Sequence, residues 1–217
     1  MYPRSRTGRV GAALVFLGVT SYGVWMFWLL TRTEAPVDTP MSMGVGHART
    51  PEFKINLSAT YVIDIEVEKK IPFEVLNCLL GTSMAATSTT FQECPDRPSV
   101  VKASWVLTSE GHVEAHGSSE DYRSAGWRND SISREIGSFH AQSGRRYVLD
   151  VDVLADGSAL RPGNPRLKVR VDPMVVEGHA VFDGILLLAS GALVLIGIAG
   201  IIVSIGKKKR PVFPAGP

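Results

Sequence analysis

His112, Glu114 and His116 stand at alternate positions in the sequence. Alternate side chains of an extended strand leave on one face, so two imidazoles and a carboxylate would project together, spaced for zinc or another borderline cation. Three ligands leave a zinc shell one short. Val113 and Ala115 between them read as the core side, so the competing reading is a solvated outer face beside the turn Ser109-Glu110-Gly111. A second set, Met41, Met43 and His47, offers thioethers and an imidazole to a soft ion such as Cu(I), but no thiolate stands nearby to complete it. The chain is expected to need no cofactor.

Residues 118–130 hold Tyr122, Arg123, Trp127 and Arg128 among Glu, Asp, Ser and Asn. Aromatic rings flanked by polar groups on a loop can stack on sugar rings or anchor a protein partner, which makes these four the candidate binding residues. Against that stands the commoner use of a single Trp, an indole laid over the end of a core. Cys78 and Cys94 are the only cysteines. On the oxidising side of a membrane they are expected to form a disulfide, whose loop of ~15 residues would restrict the unfolded chain by up to about 3 kcal/mol. The stretches beginning at Asn56 and Asn129 satisfy the glycosylation rule, which matters only in a eukaryotic host. No nucleophile elbow, phosphate loop, paired-carboxylate cleft or complete metal set accompanies these residues, and the chain is read as a non-enzyme.

Alternation supplies the frame. Tyr61, Ile63, Ile65 and Val67 face one way, Asp64, Glu66 and Glu68 the other. Tyr147, Leu149, Val151 and Val153 alternate with Arg146, Asp150 and Asp152, and Leu167, Val169 and Val171 with Arg166, Lys168 and Arg170. A hairpin is expected from residues 101–107 to 112–116, with Val101, Ala103, Trp105 and Leu107 inward, and a further strand over 132–139. Half-buried strands in such number over ~120 residues imply a mainly β fold, an antiparallel two-sheet sandwich of jelly-roll-like type. Pro72, Glu74 and Gly81 bracket one short helix near residues 72–80, expected to close an end of the sandwich. The pattern Phe139-x-Ala141-x-x-Gly144-x-x-Tyr147-x-Leu149-x-Val151 resembles the strand-turn-strand of many secreted jelly-roll and lectin-like sandwiches, and implies a half-buried hairpin without naming an activity. Opposite charges attract across strands, which places the basic strand 166–171 beside the acidic strand 61–68, with 147–153 as the neighbour on the other side.

Two apolar runs of spanning length enclose this domain, residues 10–30 and 185–205. The first is too long for the h-region of a signal peptide and ends in Trp25, Phe27 and Trp28, so it is expected to be retained. Arg4, Arg6 and Arg9 before it, and Lys207, Lys208, Lys209 and Arg210 after the second, hold both termini inside. Of 23 basic residues those seven are terminal, leaving 16 against all 21 acidic ones, so the overall charge of +2 conceals an interior of −5 and gives no support to nucleic-acid binding. Gly11, Gly18 and Ser21 in the first run, and Ser190, Gly197, Gly200 and Ser204 in the second, follow helical spacing and form seams on which helices could pack, within the molecule or between copies. Asp183 lies in line with the second seam, at the outer boundary.

The expected order is a cytoplasmic N-terminus (1–9), a transmembrane helix (10–30), a linker (31–52), an extracytoplasmic sandwich (53–173), a second linker (174–184), a second transmembrane helix (185–205) and a basic cytoplasmic tail (206–217). Such a chain reads as an integral protein of the plasma or inner membrane whose central domain is periplasmic or extracellular. The function expected of it is a non-enzymatic accessory or interaction subunit of a membrane or envelope assembly, with the bilayer and a membrane protein or second copy as partners. The alternative is a membrane-anchored module that binds carbohydrate or another envelope ligand.

Overall fold

The computed structural model describes residues 6–82, 94, 98–122 and 124–206; Arg4, Arg123, residues 83–90 of the Thr/Ser-rich loop and the basic cluster 207–210 lie outside the described residues. Two compact units divide the chain, residues 32–175 and the pair of segments 1–31 and 176–217. Two antiparallel five-stranded sheets and two long apolar helices make it mixed α/β rather than mainly β.

In the first unit the strands are β1 (Val37–Pro40), β2 (Gly46–Arg49), β3 (Phe53–Lys54), β4 (Ala59–Glu68), β5 (Ala103–Ser109), β6 (His112–Ser118), β7 (Ala125–Trp127), β8 (Ser131–Ala141), β9 (Arg146–Val153) and β10 (Arg166–Val171). One sheet runs β1-β10-β4-β8-β7 and the other β2-β9-β5-β6, with β3 beside β9. Ile63 pairs with Val169 and Ile65 with Leu167, so the basic strand does lie beside the acidic one. Its ion pairs run diagonally: Lys168 and Arg170 stand opposite Asp64 and Val62, yet bridge to Glu66 at 2.9 Å and Asp64 at 2.5 Å. The third strand of that expectation is corrected. β9 belongs to the other sheet, where its Asp150 and Asp152 meet Arg49 and His47 of β2, while β8 flanks β4. Outward charge cannot tell a neighbouring strand from one in the facing sheet.

From residue 32 on, the stretch expected to be a linker, 31–52, belongs to this unit. β1 and β2 are four-residue edge strands, one in each sheet, too short and too rich in Pro and Gly to show alternation. Met41 N–H donates to Pro165 O at 2.9 Å and Gly157 N–H to Met43 O at 2.7 Å, which carries the chain from one sheet to the other. Val37, Met41 and Met43 are core residues.

Side chains from both sheets meet in a single core. Trp105 of β5 is its largest fully buried member, and its ring lies where a Cβ on Gly137 of β8 or Gly117 of β6 would collide with it. α2 (Phe73–Leu80) adds Leu76 and Leu80 to the core. It stops at Gly81, whose φ of 69° lets its N–H reach Cys78 O while Thr82 N–H reaches Asn77 O, the paired closure that glycine permits at a helix C-terminus. Cys78 and Cys94 are joined in a disulfide.

The helical unit is built from α1 (Arg6–Thr33) and α3 (Pro173–Gly206). The second expected linker, 174–184, is therefore helical. Asp172 caps it, its Oδ1 accepting from Met174 N–H at 2.9 Å, and Pro173 suits a first helical position. The helices run antiparallel and touch through small residues: a Cβ on Gly11 would stand 2.5 Å from Gly197 O, one on Gly197 2.5 Å from Gly11 O, and one on Gly18 2.7 Å from Ser190 O. Ser190 and Ser204 are buried, and Gly200 faces Gly11 and Thr7. Large apolar side chains point away from the seam, Phe16 at 73% exposure and Leu188 at 77%.

Candidate functional site

His112 and His116 do not share a face. Across the β5–β6 hairpin Leu107 pairs with Ala115 but Thr108 pairs with Val113, so Glu114 is the extra residue of a bulge and the alternation inverts there. His116 stands opposite outward Val106, His112 opposite buried Ser109, and Val113 is exposed rather than core. Glu114 Oε1 accepts from Arg145 Nη2 at 2.7 Å. Among the described residues no group of three His, Cys, Asp or Glu is placed to hold a metal ion. The thioether set is likewise dispersed, with Met41 and Met43 buried and His47 on β2, its Nδ1 2.8 Å from Asp152 and its Nε2 3.1 Å from Asp150. The hydrogen bond to Asp152 is the largest influence on His47 and outweighs the opposing effect of burial, and with the charges of both carboxylates it raises the pKa above its ordinary value.

The loop candidates part company. Tyr122 packs against the core, and its carbonyl accepts from Arg134. Trp127 stays 44% exposed and donates Nε1–H to Asn77 Oδ1 at 3.4 Å. Its neighbour is α2 rather than Tyr122: Phe73, 48% exposed, lies under the Lys69 ammonium, which also donates to the carbonyl of Arg128. Trp127 thus lies beside Asn77 of α2, and Phe73, one turn earlier in that helix, beside Lys69. In the sequence Phe73 is only part of a short helix, and nothing local marks that helix's contact with Trp127.

Two further clusters escape sequence reasoning. Arg134 is a cation on the inward side of β8, opposite Ile65, donating to the carbonyls of Leu80 (2.6 Å), Gly81 (3.2 Å), Ser119 (3.0 Å) and Tyr122 (3.0 Å). It ties the end of α2 to the loop before β7, where the helix dipole favours a positive charge. On the outward side Asp64 stands opposite Glu135, two carboxylates abreast, with Arg170 on Asp64. Burial raises the Asp64 pKa against the pull of Arg170, and burial together with the Asp64 charge raises that of Glu135.

A cleft of about 430 Å³ opens between the β1–β2 crossover and the 3-10 turn Ser158–Gly163, lined by Met41, Met43, Glu68, Arg161, Asn164 and Arg166. Arg166 is committed to Asp38 and Glu68 to Lys70, so its polar wall is largely satisfied from within.

No family model matches this chain, and no curated protein is similar to it. Among solved structures, the crystal structure of a protein from Sulfurospirillum deleyianum is similar at 12% identity over 63% of this chain and 96% of that one, with a TM-score of 0.45. A likeness of that degree carries no argument about function.

Proposed function

We propose that the chain is a two-span integral membrane protein that displays a β-sandwich of jelly-roll-like type outside the bilayer and serves as a non-enzymatic accessory or interaction subunit of a membrane or envelope assembly. The observation that carries this reading is the inside-out character of the helical unit. Glycine and serine fill its seam while Phe16, Leu188 and their like face outward, the arrangement favoured where the solvent is lipid and close fit replaces the hydrophobic effect. The sandwich reading is supported by a core drawn from both sheets, and its jelly-roll-like habit by a chain that crosses from sheet to sheet between β1 and β2, β3 and β4, β4 and β5, β6 and β7, β8 and β9, and β9 and β10. In this scheme both termini are cytoplasmic. Alkaline carbonate extraction of membranes, with topology reporters fused after Pro217 and inserted at Gly111, tests it. Retention in the pellet with only the Gly111 reporter externally active is the expected result, and an externally active reporter at Pro217 would refute the scheme.

A second reading, a membrane-anchored carbohydrate- or envelope-ligand-binding module, is favoured by two exposed rings, Trp127 bonded to Asn77 and Phe73 under Lys69, each suited to stacking on a sugar ring while its hydroxyls meet polar groups. Glycan-array binding that Trp127→Ala abolishes would move the assignment to that reading.

A further inference from the structure

The cleft between the β1–β2 crossover and the turn Ser158–Gly163 holds a charge that the fold does not use. Three charged side chains line it, Glu68, Arg161 and Arg166. Arg166 Nε donates to Asp38 Oδ1 at 2.5 Å, and Lys70 Nζ stands 2.5 Å from Glu68 Oε2, which also accepts from the Asn164 amide at 3.2 Å. The bonds from Lys70 and Asn164 hold the Glu68 carboxyl below its ordinary pKa, so at neutral pH it keeps its charge and its cation. Arg161 differs. Its carbonyl accepts from Asn164 N–H at 3.1 Å, but its guanidinium makes no ion pair with any described residue. The surplus on the cleft wall is therefore one positive charge, and that guanidinium, being exposed, meets an incoming anion without breaking a bond inside the protein.

Beside that charge the lining is apolar and held in place. Met41 and Met43, both buried in the core, contribute thioethers that adapt to the shape of what they touch. Met41 N–H donates to Pro165 O and Gly157 N–H to Met43 O, so main-chain bonds tie the crossover to the opposite wall before any ligand arrives. A preformed cleft of about 430 Å³ with an apolar wall and one unspent charge is of the size and kind that takes a small molecule.

We infer that this cleft binds a small monocarboxylate with an apolar body, its carboxylate on Arg161 and its body against Met41 and Met43. The planar guanidinium fork matches the two oxygens of a carboxylate. A dicarboxylate or a phosphate dianion would bring a second negative charge to a wall that already carries Glu68, and a wholly apolar ligand would take water from Arg161 and return no partner. The inference goes beyond the interaction role proposed above by giving the sandwich a small-molecule site, and it uses none of the residues around Trp127.

The test titrates the full chain in nanodiscs, by ligand-observed nuclear magnetic resonance against protein-free nanodiscs, with isocaproate, its neutral amide isocaproamide, and L-leucine, which adds an ammonium to the same skeleton. Isocaproate is expected to bind at least tenfold more tightly than the amide and at least as tightly as leucine. Arg161→Gln should bring isocaproate down to the affinity of the amide, and Arg161→Lys should keep part of the preference. Because the Arg161 side chain supports no other described residue, both variants should melt with the wild type, which separates loss of the site from loss of the fold. Equal binding of acid and amide, a preference that survives Arg161→Gln, or no saturable binding of isocaproate at millimolar concentration overturns the inference. Tighter binding of leucine overturns it too, and would assign the cleft to an amino acid whose ammonium meets Glu68. None of these results bears on the membrane reading, which carbonate extraction tests separately.

Discussion

Trp105 of β5 donates its indole N–H to the main-chain carbonyl of Ile136 in the facing sheet, at 2.8 Å. Ile136 is the extra residue where β8 bulges against β4, since Ile63 pairs with Gly137 and Asp64 with Glu135. A bulge leaves main-chain groups without their ladder partners, and here the largest ring of the core satisfies one of them. Trp105→Phe keeps most of the apolar volume but strands that carbonyl, and should cost about 1–3 kcal/mol. Gly137→Ala pushes a methyl into the same ring and should cost a similar amount, about 1–3 kcal/mol, by overpacking. Thermal unfolding of both variants followed by far-ultraviolet circular dichroism checks this; an unchanged midpoint for Gly137→Ala would show that the ring gives way freely.

The Cys78–Cys94 bridge spans 16 residues of sequence. Replacing both cysteines by serine should lower stability by about 3 kcal/mol on the chain-entropy account. Alkylation without and with prior reduction, read by mass spectrometry, should label neither cysteine in the first case and both in the second.

The histidine on β2 should make stability fall with rising pH. Its folded pKa is raised, chiefly by the hydrogen bond to Asp152, so the stabilisation is fully present below its unfolded value of 6.5 and is lost as pH climbs through the folded value. Melting midpoints of the wild type should therefore decline across that window, while those of His47→Gln stay level.

Glu135 acts with the same sign at lower pH. Its folded pKa is raised above 4.5, first by burial and then by Asp64, so the contribution is favourable below that value and is lost as pH rises through the folded one. Glu135→Gln should consequently be more stable than the wild type at neutral pH and lose the difference in acid. An opposite ordering at pH 7 would mean that the carboxylate has a partner worth more than its repulsion.

The seam predicts a contrast between two glycines on one helix. Gly197→Leu must displace Gly11 O and Val15, whereas Gly191 has open space beside it. Gly197→Leu should weaken helix pairing by about 1–3 kcal/mol and Gly191→Leu should leave it unchanged, judged by detergent-induced loss of Trp25–Trp28 fluorescence.

Which of these features the sequence discloses follows from how local their causes are. The β4–β10 pairing is legible because Lys168 and Arg170 face Glu66 and Asp64 over long, regular strands. α2 is legible from Pro72 and Gly81, and the disulfide from there being two cysteines. β1 and β2 are not, because four residues containing Pro40 or Gly46 cannot show a period. Bulges at Glu114 and Ile136 invert a face in mid-strand, and the first of them undoes the apparent alignment of His112 with His116. For β8 the signal was present: Ile132 and Ile136 occupy even positions and Phe139 and Ala141 odd ones, and all four are buried. For β6 there was none, since Val113 looks like a core residue until its pairing is known. Arg134 was hidden for a different reason, because its partners are main-chain carbonyls that no residue type announces.

The adjacency of β1 and β10 has a mechanical meaning. Val37 pairs with Val169, and the chain enters β1 and leaves β10 at the same end of the sheet. Tension drawing the chain before β1 and the chain after β10 apart would load the four β1–β10 residue pairs one after another, beginning at Val37, instead of shearing them together. A seam loaded in that order parts under a small force. The first strand to peel would be β1, and its departure would bare the edge of β10 while β4 still holds the other side.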